Sequence, residues 1–370
     1  CQVAVHLAAV TPTMRVIIDR ALYLPADWAA DDERREAAGV PDEIAFATKP
    51  QQAARMVADA LEAGVSARWF AADEVYCGRE LRARIRQLSL GYTVGVPATH
   101  PVTDGAGHRW QARQMLNKVR PGQWMRRSTG DGAKGRREYD WAWLDIRADD
   151  TPDGARQPDG MSVLVARRHR YTGETSYFRC WAPGDVALGA LVEIICRRWK
   201  IEETFQLAKG FTGLDQGQVT CWNSWMRWSL FSLIAAAVLA PTLHAMTPGT
   251  TVSAGPPGAR LVPLACPELV RLLRSLVLPP PARDREHVLH WTACADTIKP
   301  PPKPATSDDT AFTTNHDRNY SCRVSGHEVL AALLRTPGLP QFDVRCRFVV
   351  SGWHPLRYYG VRCLGGIRIG

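Results

Sequence analysis

The first hundred residues switch repeatedly between the two apolar periods of protein structure, and that switching constrains the fold most. Residues 3–10 and 14–24 are β-rich runs joined by a turn at Thr11-Pro12-Thr13, the pattern of an antiparallel hairpin. Thr48 offers an N-cap, Pro50 lies in the first turn and Gln51 completes a capping box. Ala53, Met56, Val57, Ala60 and Leu61 then recur at helical spacing until Gly64 stops the helix. A short apolar strand over 67–72 ends on Asp73, 78–88 reads as a helix, and 91–97 as another strand. Hairpin, helix, strand, helix, strand specifies a mixed α/β sheet.

Beyond residue 108 the character changes. Nine basic residues (Arg109, Arg113, Lys118, Arg120, Arg126, Arg127, Lys134, Arg136 and Arg137) face a single acid, Asp131, with Trp110 and Trp124 between them. Short strands are expected at 141–146, 161–166 and 175–181, then long helical patterns over 186–209 and 223–240. Pro and Gly crowd 248–283. After Trp291 the periodicity weakens, and only 338–350 hints at a strand.

The chain carries 46 Lys and Arg against 37 Asp and Glu, a net charge of +9 that favours an anionic partner, nucleic acid above all. Thirteen Trp, nine Tyr and nine Phe exclude a disordered chain. The most apolar window, Trp228 to Ala240, falls short of the ~20 residues a bilayer span needs, so no membrane segment is expected. Ten cysteines are scattered, the closest two being Cys180 and Cys196, which excludes the paired spacing of a zinc site. The start at Cys1 reads as a chain entered within a domain. An N-terminal cysteine nucleophile is the alternative, but it leaves Glu202 without a role.

Two carboxylates stand out. Asp73 follows a buried-looking strand, where α/β sheets display active groups, although such an Asp can equally cap the next helix. Glu202 lies in RRWKIEETFQLAKG. At ~100° per residue, Arg198, Glu202, Phe205 and Lys209 share one stripe that extends back to Ile195. Arg198 and Glu202 can be read as an ordinary exposed ion pair. Their sharing a stripe with Ile and Phe argues instead for charges that bind something, since half-buried charges are costly.

Arg198, Glu202 and Lys209 at this spacing resemble the Y-R-E-K signature of insertion-sequence transposases of the DDE type. The segment ADEVYCG around Asp73 is similar to that family's second-Asp motif, and QVAVHLAAVTPTMRVIIDRALYLP to the strands just after its first Asp. The resemblance runs from residue 1 to about Trp291. It implies a ribonuclease-H-like mixed sheet with an inserted β-rich subdomain, followed by C-terminal helices. The expected organisation is 1–104 for the first part of the catalytic domain, 105–185 for a β-rich basic insertion, 186–292 for the remainder and closing helices, and 293–370 for a poorly organised tail foreign to the family. By resemblance Asp73 and Glu202 are catalytic metal ligands for two Mg²⁺ (or Mn²⁺) ions in the intact enzyme, and Arg198 and Lys209 grip phosphates. Arg126, Arg127, Arg136 and Arg137 are the expected further DNA contacts. The partner implied is double-stranded DNA, element ends and target, with a homodimer allowed in the active complex and a cytoplasmic, nucleoid-associated location. Two departures are expected to matter: the signature Tyr position holds Ile195, and the strand carrying the first Asp is missing. The chain is therefore expected to bind DNA without cutting it. A non-catalytic basic nucleic-acid-binding protein is the alternative.

Overall fold

The computed structural model describes residues 2–12, 14–132, 135–153, 160–246, 266–272, 275 and 347–352. Strands β1 (Val3–Val10) and β2 (Arg15–Tyr23) form the antiparallel hairpin. The polar stretch after it becomes α1 (Ala26–Ala29) and α2 (Asp32–Ala38), the latter capped by Asp31, which accepts from the Arg34 N–H at 3.0 Å. Helix α3 (Lys49–Glu62) opens on the Thr48/Gln51 capping box and buries Ala53, Met56, Val57 and Ala60. Gly64 carries the chain out of it at φ 87°, a left-handed conformation that glycine adopts without cost.

Strand β3 (Trp69–Ala72), helix α4 (Arg79–Gln87) and strand β4 (Gly91–Val96) follow, with β3 and β4 parallel. A small ribbon of β5 (Pro101–Thr103) and β6 (Arg109–Gln111) leads into the short helix α5 (Ala112–Met115). Then β7 (Met125–Gly132), β8 (Gly135–Asp145), β9 (Met161–His169) and β10 (Thr175–Ala182) run as an antiparallel meander. This β-rich region continues the main sheet, because β10 pairs with β4.

The helical pattern over 186–209 is divided. Helix α6 (Leu188–Arg198) stops at Trp199 and α7 (Lys200–Thr212) begins after it, ending on Gly213 at φ 69°. Helix α8 (Trp222–Met246) follows. The chain forms two compact units, Cys1–His244 with Ser325–Gly370, and Ala245–Val324. In the second, α9 (Cys266–Leu272) is described.

The last described strand, β11 (Arg347–Gly352), corrects the expectation of a tail that packs little against the core. It lies in the middle of the sheet, whose order among the described residues is β2-β1-β11-β3-β4-β10-β9-β8-β7. It pairs antiparallel with β1 and parallel with β3, and Phe348, Val349 and Val350 are 0% exposed. Burial of three such side chains is worth ~1.5–3 kcal/mol each.

The central strands separate two cores. On one face Val5, Leu7, Phe70, Ala72, Tyr92, Phe348 and Val350 pack on the apolar stripe of α3. On the other, Ala8, Val10, Ala71 and Val349 pack on Ile194 of α6, Ile201 and Phe205 of α7 and Leu233 of α8. Because β3, β4 and β11 are parallel, their carboxyl ends share one edge of the sheet, where β1 begins opposite Gly352.

Candidate active site

Asp73 stands at that edge, the first residue past β3. Its backbone is extended (φ −82°, ψ −174°), and its Oδ1 accepts from the Val75 N–H at 3.0 Å, so it caps the 3₁₀ turn Glu74–Tyr76. The cap reading and the display reading therefore hold together: the turn fixes one carboxylate oxygen at the rim. The phenol of Tyr76, fully buried, has its pKa pushed up by burial and next by the Asp73 charge.

Asp73 lines a cleft of about 770 Å³ with the β4 end (Gly95 to Ala98), Tyr139 and Arg167 from the meander, and Arg198, Lys200 and Glu203 from α6 and α7. The structure thus brings Asp73 and Arg198 to one cavity. Ile195, at the signature Tyr position, is 5% exposed and lines the same wall above the core of Trp141 and Val163.

The paired glutamates of α7 have different fates. Glu203 is held by Lys200 at 2.9 Å and Arg15 at 3.0 Å. Glu202 makes no ion pair among the described residues; the Arg198–Glu202 pair that i,i+4 spacing allows is absent there, with Trp199 interrupting the helix between them. Within α7 the stripe persists. Phe205 packs edge-on against His6 at 5.0 Å between ring centroids, and the Lys209 ammonium lies 5.9 Å from the Phe205 ring. Burial lowers the Lys209 pKa, against the opposing pull of Asp215 and then Glu202. Glu202 and Lys209 are thus electrostatic neighbours along α7.

His6 is the group that sequence reading missed. It is 4% exposed, neither ring nitrogen has a hydrogen-bond partner among the described residues, and its pKa falls to about 3 through burial and then the Arg20 charge. Arg20 lies opposite it in the hairpin, its Nε donating to the Ser229 hydroxyl at 3.0 Å. His6 and Lys209 line a second cavity of about 240 Å³ with Asp215, Trp225 and Trp228. The alternation of β1 could have found His6, since it falls on the same side as Ala4 and Ala8.

The basic surface is redistributed. Arg126 and Arg127 are exposed on the edge strand β7, whereas the side chains of Arg136 and Arg137 lie outside the described residues. Lys118 is engaged by Asp104 at 2.6 Å and sits 4.3 Å from the Trp110 ring, a structural role. Strand β9 and the residue after it contribute a run the sequence reading passed over. Arg167 lies 4.9 Å from the Tyr139 ring, Arg168 lies 3.9 Å from that of Trp124, and Arg170 pairs with Glu138 at 3.0 Å. Arginines stacked on aromatics present flat cationic surfaces suited to phosphates and bases.

Endonucleases that hold divalent metals on carboxylates need several oxygen ligands per ion. Among the described residues no group of three His, Cys, Asp or Glu is placed to hold a metal. Asp73 and Glu202 alone do not compose such a set.

Residues 1–149 match the family described as DDE superfamily endonuclease. That segment is consistent with a DDE-type transposase, and the mixed sheet with the ribonuclease-H-like fold of such a domain. Endonucleases of this superfamily act on DNA and generally use divalent metals. The match includes Asp73 and ends before α6, leaving Arg198, Glu202 and Lys209 outside it. No curated protein matches the chain. No helix among the described residues is long and apolar enough to cross a membrane.

Proposed function

We propose that the chain is the catalytic region of an insertion-sequence transposase, acting on double-stranded DNA at element ends and target. In this reading Asp73 and Glu202 are two of its carboxylates, Arg198 and Lys209 bind backbone phosphates beside them, and Arg126, Arg127 and the β9 arginines hold the flanking duplex. One observation carries the proposal: a carboxylate fixed at the carboxyl edge of a ribonuclease-H-like sheet, in a cleft shared with Arg198, inside the stretch that matches the endonuclease family. A bacterial cytoplasm, with the protein on the nucleoid and paired in the active complex, is the setting this function requires.

In the same reading the chain is expected to bind DNA without cutting it. Anisotropy titration of a labelled duplex should give an affinity that falls steeply with salt, as phosphate neutralisation demands. Supercoiled plasmid should stay intact with Mg²⁺. Salt-independent binding would remove the proposal, and efficient Mg²⁺-dependent nicking would overturn the inactive assignment.

A non-catalytic nucleic-acid-binding protein is favoured by the arginine–aromatic stacks of β9. It predicts that Asp73→Asn and Glu202→Gln leave DNA and Mn²⁺ binding unchanged. The transposase reading predicts weaker Mn²⁺ binding in both variants.

A further inference from the structure

We propose that Arg167 grips DNA inside the Asp73 cleft, and that through it the cleft selects single-stranded over double-stranded DNA. The proposal deepens the transposase reading and rests on it. It separates Arg167 from its neighbour Arg168, which stays with the flanking duplex.

Alternation along β9 divides the two. Arg167 pairs with Trp141 of β8 and Ser176 of β10, and directly opposed residues share a face. Trp141 is 0% exposed and packs with Leu191 and Val192 of α6, so Arg167 stands on the α6 face. Arg168 pairs with Asp140 on the opposite face. There its guanidinium lies 3.9 Å from the Trp124 ring and 3.5 Å from the Asp140 carboxylate. Two adjacent cations therefore serve two sides of the sheet.

Inside the cleft the Arg167 side chain has a fixed seat. Its Nη2 donates to the Ser176 hydroxyl at 3.1 Å, and the guanidinium lies 4.9 Å from the Tyr139 ring and 5.7 Å from the Phe178 ring. Folding thus orders the side chain in advance, and little rotamer entropy is lost when a ligand arrives. Ser176 takes one of the five N–H donors of a guanidinium, so the planar group can keep its seat and grip a phosphate. Its charge also reaches α6, where it pulls down the Cys196 thiol that burial pushes up to about 11.

Shape sets the selection. The cavity of about 770 Å³ that Asp73, Arg167 and Arg198 line is of the size that takes one small molecule. It has room for a short piece of one DNA strand, and not for a paired helix. A duplex is stiff over ~150 base pairs and cannot fold one backbone into such a space. An unpaired strand can, and cations interleaved with rings are what unpaired strands bind. Tyr139 and Phe178 flank Arg167 on one wall, and Trp199, 53% exposed, joins Arg198 and Lys200 in the same lining.

The test uses the full 370-residue chain with a labelled single strand and a labelled duplex of the same sequence, followed by anisotropy. Arg167→Met keeps an apolar stem against the two rings and removes the charge. It should weaken single-strand binding about tenfold and lower the salt slope by about 0.7, the share of one phosphate. Arg168→Ala should weaken duplex binding more, so the two substitutions move the ratio of the affinities in opposite directions. Arg167→Lys should restore the slope and only part of the affinity, because an ammonium lacks the planar fork. If Arg167→Met binds the single strand as the unaltered protein does, Arg167 is packing alone and the proposal fails. Steep salt dependence of duplex binding would then leave the transposase reading standing. If the unaltered chain binds neither DNA, both fail. Photocrosslinking of a 4-thiothymidine strand to the unaltered protein covers the case of a misfolded variant. Crosslinks at Tyr139, Tyr177 or Trp199 support the proposal, and crosslinks that miss all three overturn it.

Discussion

The two faces of the central strands bury different polar groups. Toward α3 and α4 the core is apolar with one charged island, in which every carboxylate is spoken for. Asp150, 0% exposed, takes Arg82 at 2.8 Å, Arg86 at 2.6 Å and the Tyr92 hydroxyl, while Asp149 takes Arg82 at 2.7 Å and Arg179 at 2.8 Å. Toward α7, His6 is 4% exposed and its ring nitrogens have no hydrogen-bond partner among the described residues. A buried polar group that is fully paired stabilises a fold; one left unpaired costs stability and marks a place shaped for something else.

The largest effects should come from the paired face. Asp150→Ala removes the buried carboxylate that pairs with Arg86, leaves Arg82 with Asp149 alone, and should cost ~3–5 kcal/mol. Phe348→Ala should cost a similar ~3–5 kcal/mol through the cavity it leaves beneath α3. Urea melts measure both. A loss under about 1 kcal/mol for Phe348→Ala would mean that β11 is not part of this core.

The unpaired face should show itself next, through pH. With its folded pKa at about 3, below the ordinary 6.5, the folded protein holds fewer protons on His6 than the unfolded chain between those values. Stability should therefore fall as pH drops from 6.5 toward 3, by about 3 kcal/mol at pH 4 from His6 alone. His100, lowered to about 4, adds in the same direction. His6→Leu should flatten the slope; an unchanged slope would show that His6 is already exposed to water. The smallest effect belongs to the surface. Arg168→Ala should weaken DNA binding several-fold and reduce the salt slope by about one, with no change in the melt.

Much of this was legible where the determining interactions are local. The capping box at Thr48 and Gln51, the hairpin of β1 and β2 and the position of Asp73 all follow from neighbours a few residues apart. What escaped depends on distant partners. The hint of a strand over 338–350 reached β11 but not its place between β1 and β3, whose residues lie at the opposite end of the chain. Arg82 and Arg86 read as one charged face of α4 because nothing nearby points to Asp149 and Asp150. Adjacent Glu202 and Glu203 look equivalent until Arg15 and Lys200 claim one of them. The break at Trp199 divided a stripe that continuous helical periodicity had run together.

The place of β11 also sets a timetable for synthesis. β1 and β3 each keep one edge unpaired until residues 347–352 emerge, since β11 is the strand that joins them. At ~5–20 residues per second the ribosome needs on the order of 15–55 s to travel from the end of β3 to the start of β11. Through that interval the nascent chain presents two apolar strand edges, each a template for pairing with a neighbouring polypeptide. Yield of native protein should therefore track translation speed and chaperone supply over the stretch between β3 and β11.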